Sequence, residues 1–192
     1  MTPLTQLLAD YQPATESQRS ELQRFADLLE AAGDNAFERS HFVPGHITAS
    51  CWIVDPLGEA CLLTHHRKLN RWLQLGGHCD GDPDVAAAAL REAEEESGLD
   101  GFEFIQAGIY DLDIHEIPAR KSDPAHLHYD VRFALRATTG KDFTVSDESN
   151  DLAWVPIAEL ENYTTEESVL RLARNWRDWQ DWRDWQAIRA AT

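Results

Sequence analysis

The chain has 192 residues, of which 43% are hydrophobic, so it is long enough for one domain with a real core but short for two. Its 34 acidic residues outnumber 17 basic ones, giving a net charge of −17, which argues against binding to a nucleic-acid polymer or an anionic membrane because both attract clustered Lys and Arg. No stretch approaches the ~20 apolar residues of a membrane span, and the cysteines lack the spacing of a disulfide framework or zinc knuckle, so a reduced, cytoplasmic protein is expected.

Two apolar patterns with helical spacing open the chain, at residues 4–11 and 16–32, with Pro13 between them. Residues 15–18 match the capping box that begins many helices. We therefore expect a helical hairpin, or one helix broken near Pro13, as an N-terminal extension over residues 1–34. This extension is expected to pack on the rest of the chain or on a second subunit; a role in substrate recognition is the less favoured alternative.

Two strands are predicted next, at residues 46–54 and 60–66, because these segments alternate and are rich in β-branched residues. The turn at residues 55–58 joins them, so a hairpin is expected. The densest basic cluster of the chain follows, at residues 65–71.

A glycine-rich loop then leads into a helix. Asp82 is a good N-cap and Pro83 suits the first helical position, so the helix is predicted to begin at Pro83. Gly98 supplies the left-handed residue that ends it.

Three carboxylates share one face of this helix, because Glu92, Glu95 and Glu96 stand at i, i+3 and i+4. Their charges repel one another, and a divalent cation would relieve the repulsion. Mg²⁺ prefers oxygen ligands and is commonly held by one or two carboxylates together with substrate phosphates. The alternative is a solvated acidic face.

The segment from Gly77 to Leu99 resembles the Nudix box. The residues that carry the resemblance are a glycine, an Arg-Glu pair, a Glu-Glu pair and a final glycine and apolar residue, namely Gly77, Arg91-Glu92, Glu95-Glu96 and Gly98-Leu99. One position differs, since Pro83 replaces the first glutamate of the box. In the family that glutamate helps to orient the box arginine, so we expect either that Arg91 contacts Asp82, Asp84 or Glu95 instead, or that the helix entry is built differently.

The resemblance implies an α/β fold, a Nudix-type α/β/α sandwich with a mixed sheet, over residues 35–162. It also implies Mg²⁺, with Mn²⁺ as a possible substitute, held by Glu92, Glu95 and Glu96 together with Gly77. Arg91 would hold these carboxylates in place. From the basic cluster, Arg67 and Lys68 are candidates for substrate phosphate contacts, with solvated surface charge as the alternative.

Beyond the helix, residues 104–115 are predicted to form one long strand and residues 126–135 another with regular alternation. Its apolar face carries Leu127, Tyr129, Val131, Phe133 and Leu135, and its polar face carries His126, His128, Asp130 and Arg132. His126 and His128 are candidates for substrate recognition or a metal pair, and an open polar sheet face is the alternative.

An acidic loop at residues 144–150 precedes a short strand at residues 151–156. Nudix proteins often place a further catalytic or metal-binding glutamate in such a loop. The resemblance therefore implies Glu148 as the leading general base, with Asp147 as a substitute and Glu95 as the next candidate.

The C-terminal segment, residues 163–192, is predicted to be a helix that starts with a capping box at residues 164–167. Four tryptophans recur in it every three residues, at Trp176, Trp179, Trp182 and Trp185. In a helix this spacing spreads the indoles over about half of the cylinder. Some are expected to pack on the N-terminal helices or on a partner subunit, so a homodimer is possible.

The function implied by the resemblance is hydrolysis of a small-molecule diphosphate, a nucleoside diphosphate linked to another group, by water attack on phosphorus. Two alternatives remain. One is a sensor of Nudix fold that binds a nucleotide without turnover. The other is an enzyme like isopentenyl-diphosphate isomerase, which would need a catalytic cysteine, for which Cys79 is available, and a histidine-rich metal site.

Overall fold

The computed structural model of the chain describes residues 2–120, 123–140, 142–145 and 149–190, with all of their side chains except those of Trp182 and residues 184–190. A mixed sheet lies between helices, as the resemblance implied. None of the described helices is both long and apolar enough to span a bilayer.

In the described part of the chain two α-helices, α1 at Leu4–Asp10 and α2 at Glu16–Ala32, and a 3-10 helix at Gly33–Phe37 precede the sheet. The predicted capping box is present, since the Thr15 hydroxyl accepts the Gln18 N–H at 3.2 Å and the Gln18 side chain accepts the Thr15 N–H at 3.1 Å. Phe25 of α2 is fully buried and meets Tyr129 edge-on, with ring centroids 5.3 Å apart. The N-terminal helices therefore share the hydrophobic core of the sheet.

Within the described residues, eight strands form the sheet: β1 Gly45–Val54, β2 Ala60–His66, β3 Arg71–Leu73, β4 Leu75–His78, β5 Phe102–Phe104, β6 Asp111–Ile117, β7 His126–Ala137 and β8 Ser149–Pro156. Their main path runs β3-β2-β1-β7-β5, while β4 pairs with β1, β6 with β7 and β8 with β2. β1 pairs with β7 in parallel along its whole length and with β4 antiparallel.

Two strand predictions need correction. The expected hairpin of β1 and β2 closes only at its turn, where Val54 pairs with Cys61, because the rest of β1 bonds to β4 and β7. The single strand predicted at residues 104–115 is two strands, since β5 ends at Phe104 and β6 begins at Asp111. Between them Gly108 has φ +89°, a left-handed conformation that interrupts a strand.

The helix that carries the box, α3, spans Val85–Ser97 and therefore begins two residues later than predicted. Asp84, not Asp82, is its N-cap, and the Asp84 carboxylate accepts the Ala87 N–H at 3.1 Å. Asp82 instead accepts the Asp84 N–H at 2.9 Å, so it shapes the turn before the cap. The predicted stop at Gly98 is confirmed by its φ of +66°.

The side chains of β7 alternate between the two faces of the sheet. Its apolar residues join the core that also receives α2 and α3. The polar face is not open, as one alternative held, because Arg132 is 1% exposed and Asp130 3% exposed.

The last helix, α4, spans Glu167–Ala190 and covers part of this second face. It begins later than the capping-box prediction, since the Thr164 hydroxyl accepts the N–H of Glu166 ahead of the helix. Trp176 is buried and donates its Nε1–H to the Gly58 carbonyl at 3.0 Å, and Trp179 stacks on it. The side chains of Trp182 and Trp185 lie outside the described residues.

Candidate active site

Strand β4 brings the glycines of the box against its helix. A Cβ atom at Gly77 would lie 2.5 Å from a carboxylate oxygen of Glu92, closer than non-bonded atoms approach. The absence of a side chain at this position therefore lets the Glu92 carboxylate lie against the backbone of residue 77.

Arg91 ties the helix to β4. Its Nη1 donates to Glu92 at 2.7 Å and to Glu95 at 3.3 Å, and its Nη2 donates to the His78 carbonyl at 2.9 Å. Of the three supports considered for Arg91, Glu95 makes the contact, while Asp82 and Asp84 hold the helix entry. Burial alone would lower the pKa of Arg91, but the Glu92 and Glu95 carboxylates raise it.

The three box glutamates differ in exposure. Glu96 is 8% exposed, and its Oε2 accepts the Gly76 N–H at 3.0 Å. The side chain of Glu92 is 15% exposed and that of Glu95 is 62% exposed. The backbone thus fixes the carboxylate of Glu96, that of Glu92 lies against Gly77, and that of Glu95 reaches solvent.

All of these groups line one cleft of about 360 Å³. Its lining residues are Arg39, Gly77, His78, Asp80, Arg91, Glu92, Glu95 and Glu96. The sequence prediction missed Arg39, whose guanidinium lies 3.9 Å from the Asp80 carboxylate. Arg39 is far from the box along the chain, so no sequence pattern indicated that it would line this cleft.

The donor set of this cleft suits a hard divalent ion. Carboxylate oxygens and a backbone carbonyl are the ligands that Mg²⁺ and Mn²⁺ prefer. The glycine at position 77 leaves room for the Glu92 carboxylate against the backbone. The residues present therefore fit the ion that the box implies.

Other predicted site residues lie elsewhere. Arg67 donates to the Ser149 carbonyl at 3.3 Å, Lys68 is exposed in the turn after β2, and neither lines the cleft. Glu148 and Asp147 lie outside the described residues.

His126 and His128 face a group of imidazoles that extends across several strands. The ring centroid of His128 lies 4.8 Å from that of His46, 5.3 Å from that of His78 and 5.3 Å from that of His126. His115 is a further neighbour, with its ring centroid 5.5 Å from that of His128. The sequence analysis did not identify His46 and His78 as candidate site residues, because only strand pairing brings them close to His128.

Cys79, the cysteine that an isomerase reaction would use, is 2% exposed. Burial, with the nearby Asp130 carboxylate, raises the pKa of its thiol to about 12. The group is therefore protonated near neutral pH and poorly suited to act as a thiolate.

Comparison with known proteins agrees with this geometry. The NUDIX domain family model matches residues 44–177. A sequence comparison with curated proteins gives no match.

Several solved structures share the fold. A hydrolase of the NUDIX family from Clostridium perfringens is 25% identical, with a TM-score of 0.53 over 70% of this chain and 97% of that one. An Ap4A hydrolase from C. elegans is 16% identical, with a TM-score of 0.57 over 70% and 97% of the two chains. The dihydroneopterin triphosphate pyrophosphohydrolase of E. coli is 16% identical, with a TM-score of 0.55 over 66% and 91%.

The family match covers well over half of the chain and includes the box helix, the sheet and the first part of α4. The chain therefore belongs to the Nudix family and is a Nudix-type pyrophosphohydrolase.

Proposed function

We propose that the chain is a Mg²⁺- or Mn²⁺-dependent enzyme that cleaves the pyrophosphate linkage of a nucleoside diphosphate joined to another group. The observation that carries the proposal is the meeting of Gly77, Arg91 and the three box glutamates in one cleft. Its volume of about 360 Å³ lies within the range of small-molecule sites, roughly 300–1,000 Å³.

Glu92, Glu95 and Glu96, with the Gly77 carbonyl, are the proposed metal ligands. A divalent ion bound there would neutralise the pyrophosphate and acidify a water molecule. Arg91 is a positioning residue, because its bonds hold Glu92 and Glu95 beside the His78 carbonyl. Glu148 is the proposed general base, and Glu95, the most exposed of the box glutamates, is the next candidate.

The basic and histidine residues complete the proposed site. Arg67 and Lys68 are proposed to contact substrate phosphates, although neither lines the carboxylate cleft. His126 and His128 are proposed to lie on the substrate side of the sheet. The histidine group is also what favours the isomerase alternative, whereas the buried, protonated thiol of Cys79 disfavours it.

The test is a substrate panel with Mg²⁺ or Mn²⁺, monitored by release of phosphate and nucleotide. ADP-ribose, Ap4A, dihydroneopterin triphosphate, oxidised nucleotides and non-nucleotide diphosphates belong in it. We expect turnover of at least one, reduced roughly 10²- to 10³-fold in Glu95→Gln and Glu96→Gln. The Glu96→Gln variant keeps an oxygen acceptor for the Gly76 N–H, so the fold is preserved.

Glu94→Gln is the matched control, since it removes an exposed carboxylate from the same helix outside the cleft. Equal losses in this control would contradict the assignment of the ligands. Nucleotide binding without turnover would identify a sensor, and isomerisation of isopentenyl diphosphate without phosphate release would identify an isomerase. A Glu148→Gln variant tests the general base.

A further inference from the structure

Three histidines converge from the neighbouring strands β1, β4 and β7. His46 pairs with His128 in the parallel register of β1 and β7, and His78 of β4 pairs with Thr48, two residues along β1. Because residues two apart in a strand face the same way, all three imidazoles lie on one face. Three neighbouring strands thus each supply one histidine.

The donor atoms of these rings are close together. One ring nitrogen from each of His46, His78 and His128 lies within 4.8 Å of the other two. Among the described residues this is the one group of at least three His, Cys, Asp or Glu side chains with that property. Tetrahedral Zn²⁺ with Zn–N distances of about 2.0–2.1 Å needs donors roughly 3.3 Å apart, so the rings would have to move closer when an ion binds.

Two of the nitrogens lack hydrogen-bond partners. The Nε2 atoms of His46 and His128 are buried and have no such partner among the described residues. A buried polar atom left in this way is destabilising. Coordination to a metal ion would give both Nε2 atoms a partner at once. Packing of the imidazoles without an ion would leave both atoms without one.

The orientation of His46 suits a ligand. Its Nδ1 lies 3.2 Å from the His41 carbonyl oxygen, which can only accept, so Nδ1 carries the proton and the neutral ring presents its Nε2 lone pair. A backbone carbonyl on the second ring nitrogen is the usual outer partner of a metal-bound histidine. His126, beside the trio, has the same arrangement, with its Nδ1 2.8 Å from the Pro124 carbonyl.

We propose that His46, His78 and His128 form a second metal site that binds a borderline divalent ion, with Zn²⁺ as the best-suited occupant and Co²⁺ as its spectroscopic substitute. Imidazole nitrogens favour such ions, whereas oxygen donors favour Mg²⁺. Three histidines leave a fourth position for water or another ligand. The site is separate from the carboxylate cleft but adjoins it, because His78 also lines that cleft.

The test is titration of chelator-treated full-length protein with Co²⁺, followed by visible absorption, and with Zn²⁺, followed by calorimetry. We expect one tight equivalent that excess Mg²⁺ does not displace. His46→Ala and His78→Asn should each weaken binding by more than about 100-fold, beyond the 10–100-fold cost of losing an outer partner.

Two variants serve as matched controls. His65→Ala removes an imidazole that stacks on Trp72 away from the trio, and it should bind like the wild type. Glu95→Gln should keep the Co²⁺ spectrum while losing Mg²⁺-dependent hydrolysis, so failure of this site and failure of the proposed function are distinguishable. His78 is only half-buried, so His78→Asn should fold even if the substitution of the buried His46 disturbs folding. The proposal can therefore still be tested with His78→Asn.

Displacement of Co²⁺ by Mg²⁺, or loss of binding in Glu95→Gln with retention in both histidine variants, would place the ion in the carboxylate cleft and overturn the proposal. Absence of a tight Co²⁺ or Zn²⁺ equivalent in the wild type would also overturn it.

Discussion

Two arginines, one on each side of the sheet, hold groups of carboxylates in very different surroundings. The side chain of Arg91 is 40% exposed and contacts Glu92 and Glu95. Arg132 is 1% exposed and contacts the three carboxylates of Asp111, Asp113 and Asp130. Arg171 of α4 adds a second cation to this buried network.

The difference in solvent exposure indicates that Arg91 and Arg132 have different roles. Exposed ion pairs contribute little to folding because water screens them, so the bonds of Arg91 are suited to aligning a site. Buried charges are costly unless every partner is present, so the network around Arg132 bears on stability. The substitutions of Arg132, Arg91 and Asp113 described below test this division.

Removal of the buried cation should have the largest effect. Arg132→Met leaves three aspartates in the interior short of positive charge, and loss of one partner of such a network costs about 3–5 kcal/mol. Denaturant unfolding measures this loss. Arg136→Met is the control on the same strand, because Arg136 approaches Glu103 only at 4.0 Å. Equal losses of unfolding free energy in Arg132→Met and Arg136→Met would contradict a special role of the buried network in stability.

Arg91→Lys should lower kcat with little change in stability. Lysine keeps the charge but cannot reach both Glu92 and the His78 carbonyl as the guanidinium does. Misplacement of the site carboxylates should cost roughly 10²-fold in kcat, while the free energy of unfolding should change by less than about 1 kcal/mol. A stability loss as large as that of Arg132→Met with unchanged kcat would reverse the comparison.

Acid should weaken the buried network through Asp113. Burial opposes its ionisation, but the hydrogen bond from His115 and the charges of Arg132 and Arg171 outweigh it, so the pKa of Asp113 lies well below its ordinary value of 3.8. Its contribution is therefore complete above that value and is lost as the pH falls towards the folded-state pKa, at about 1.4 kcal/mol per pH unit.

Urea unfolding of Asp113→Asn, followed from about pH 5 to about pH 2.5, should show a smaller acid slope and lower stability at neutral pH. Asp27→Asn, at an exposed position on α2, controls for removal of a carboxylate. An unchanged acid slope in Asp113→Asn would show that the network draws its acid sensitivity from other groups.

The smallest effect concerns the entry to the box helix. Asp84→Ala removes the acceptor of the Ala87 N–H and should cost about 1 kcal/mol in the free energy of unfolding. Asp84→Ser keeps a side-chain acceptor and should recover most of that loss. If Asp82→Ala proved the more costly substitution and serine failed to rescue position 84, the helix would begin where the sequence predicted.

The sequence itself was informative wherever the signal was local. Helical spacing placed α2 with its capping box, alternation placed β1, β2 and β7, and the spacing within the box put Glu92, Glu95 and Glu96 on one turn of α3. Such features depend on residues a few positions apart, whose relative directions follow from backbone geometry. The helix start was missed by two residues because Asp82 and Asp84 are both good caps.

Other features of the site depend on strand register and on close approach between distant segments, which local sequence patterns do not specify. The gap between β5 and β6 follows from the conformation of Gly108, and the cleft gains Arg39 from a segment far from the box. His46, His78 and His128 are unrelated along the chain and meet because β4, β1 and β7 are neighbours in a fixed register. Sequence spacing determines which residues share a face of one element, whereas contacts between elements arise only when the whole sheet has formed.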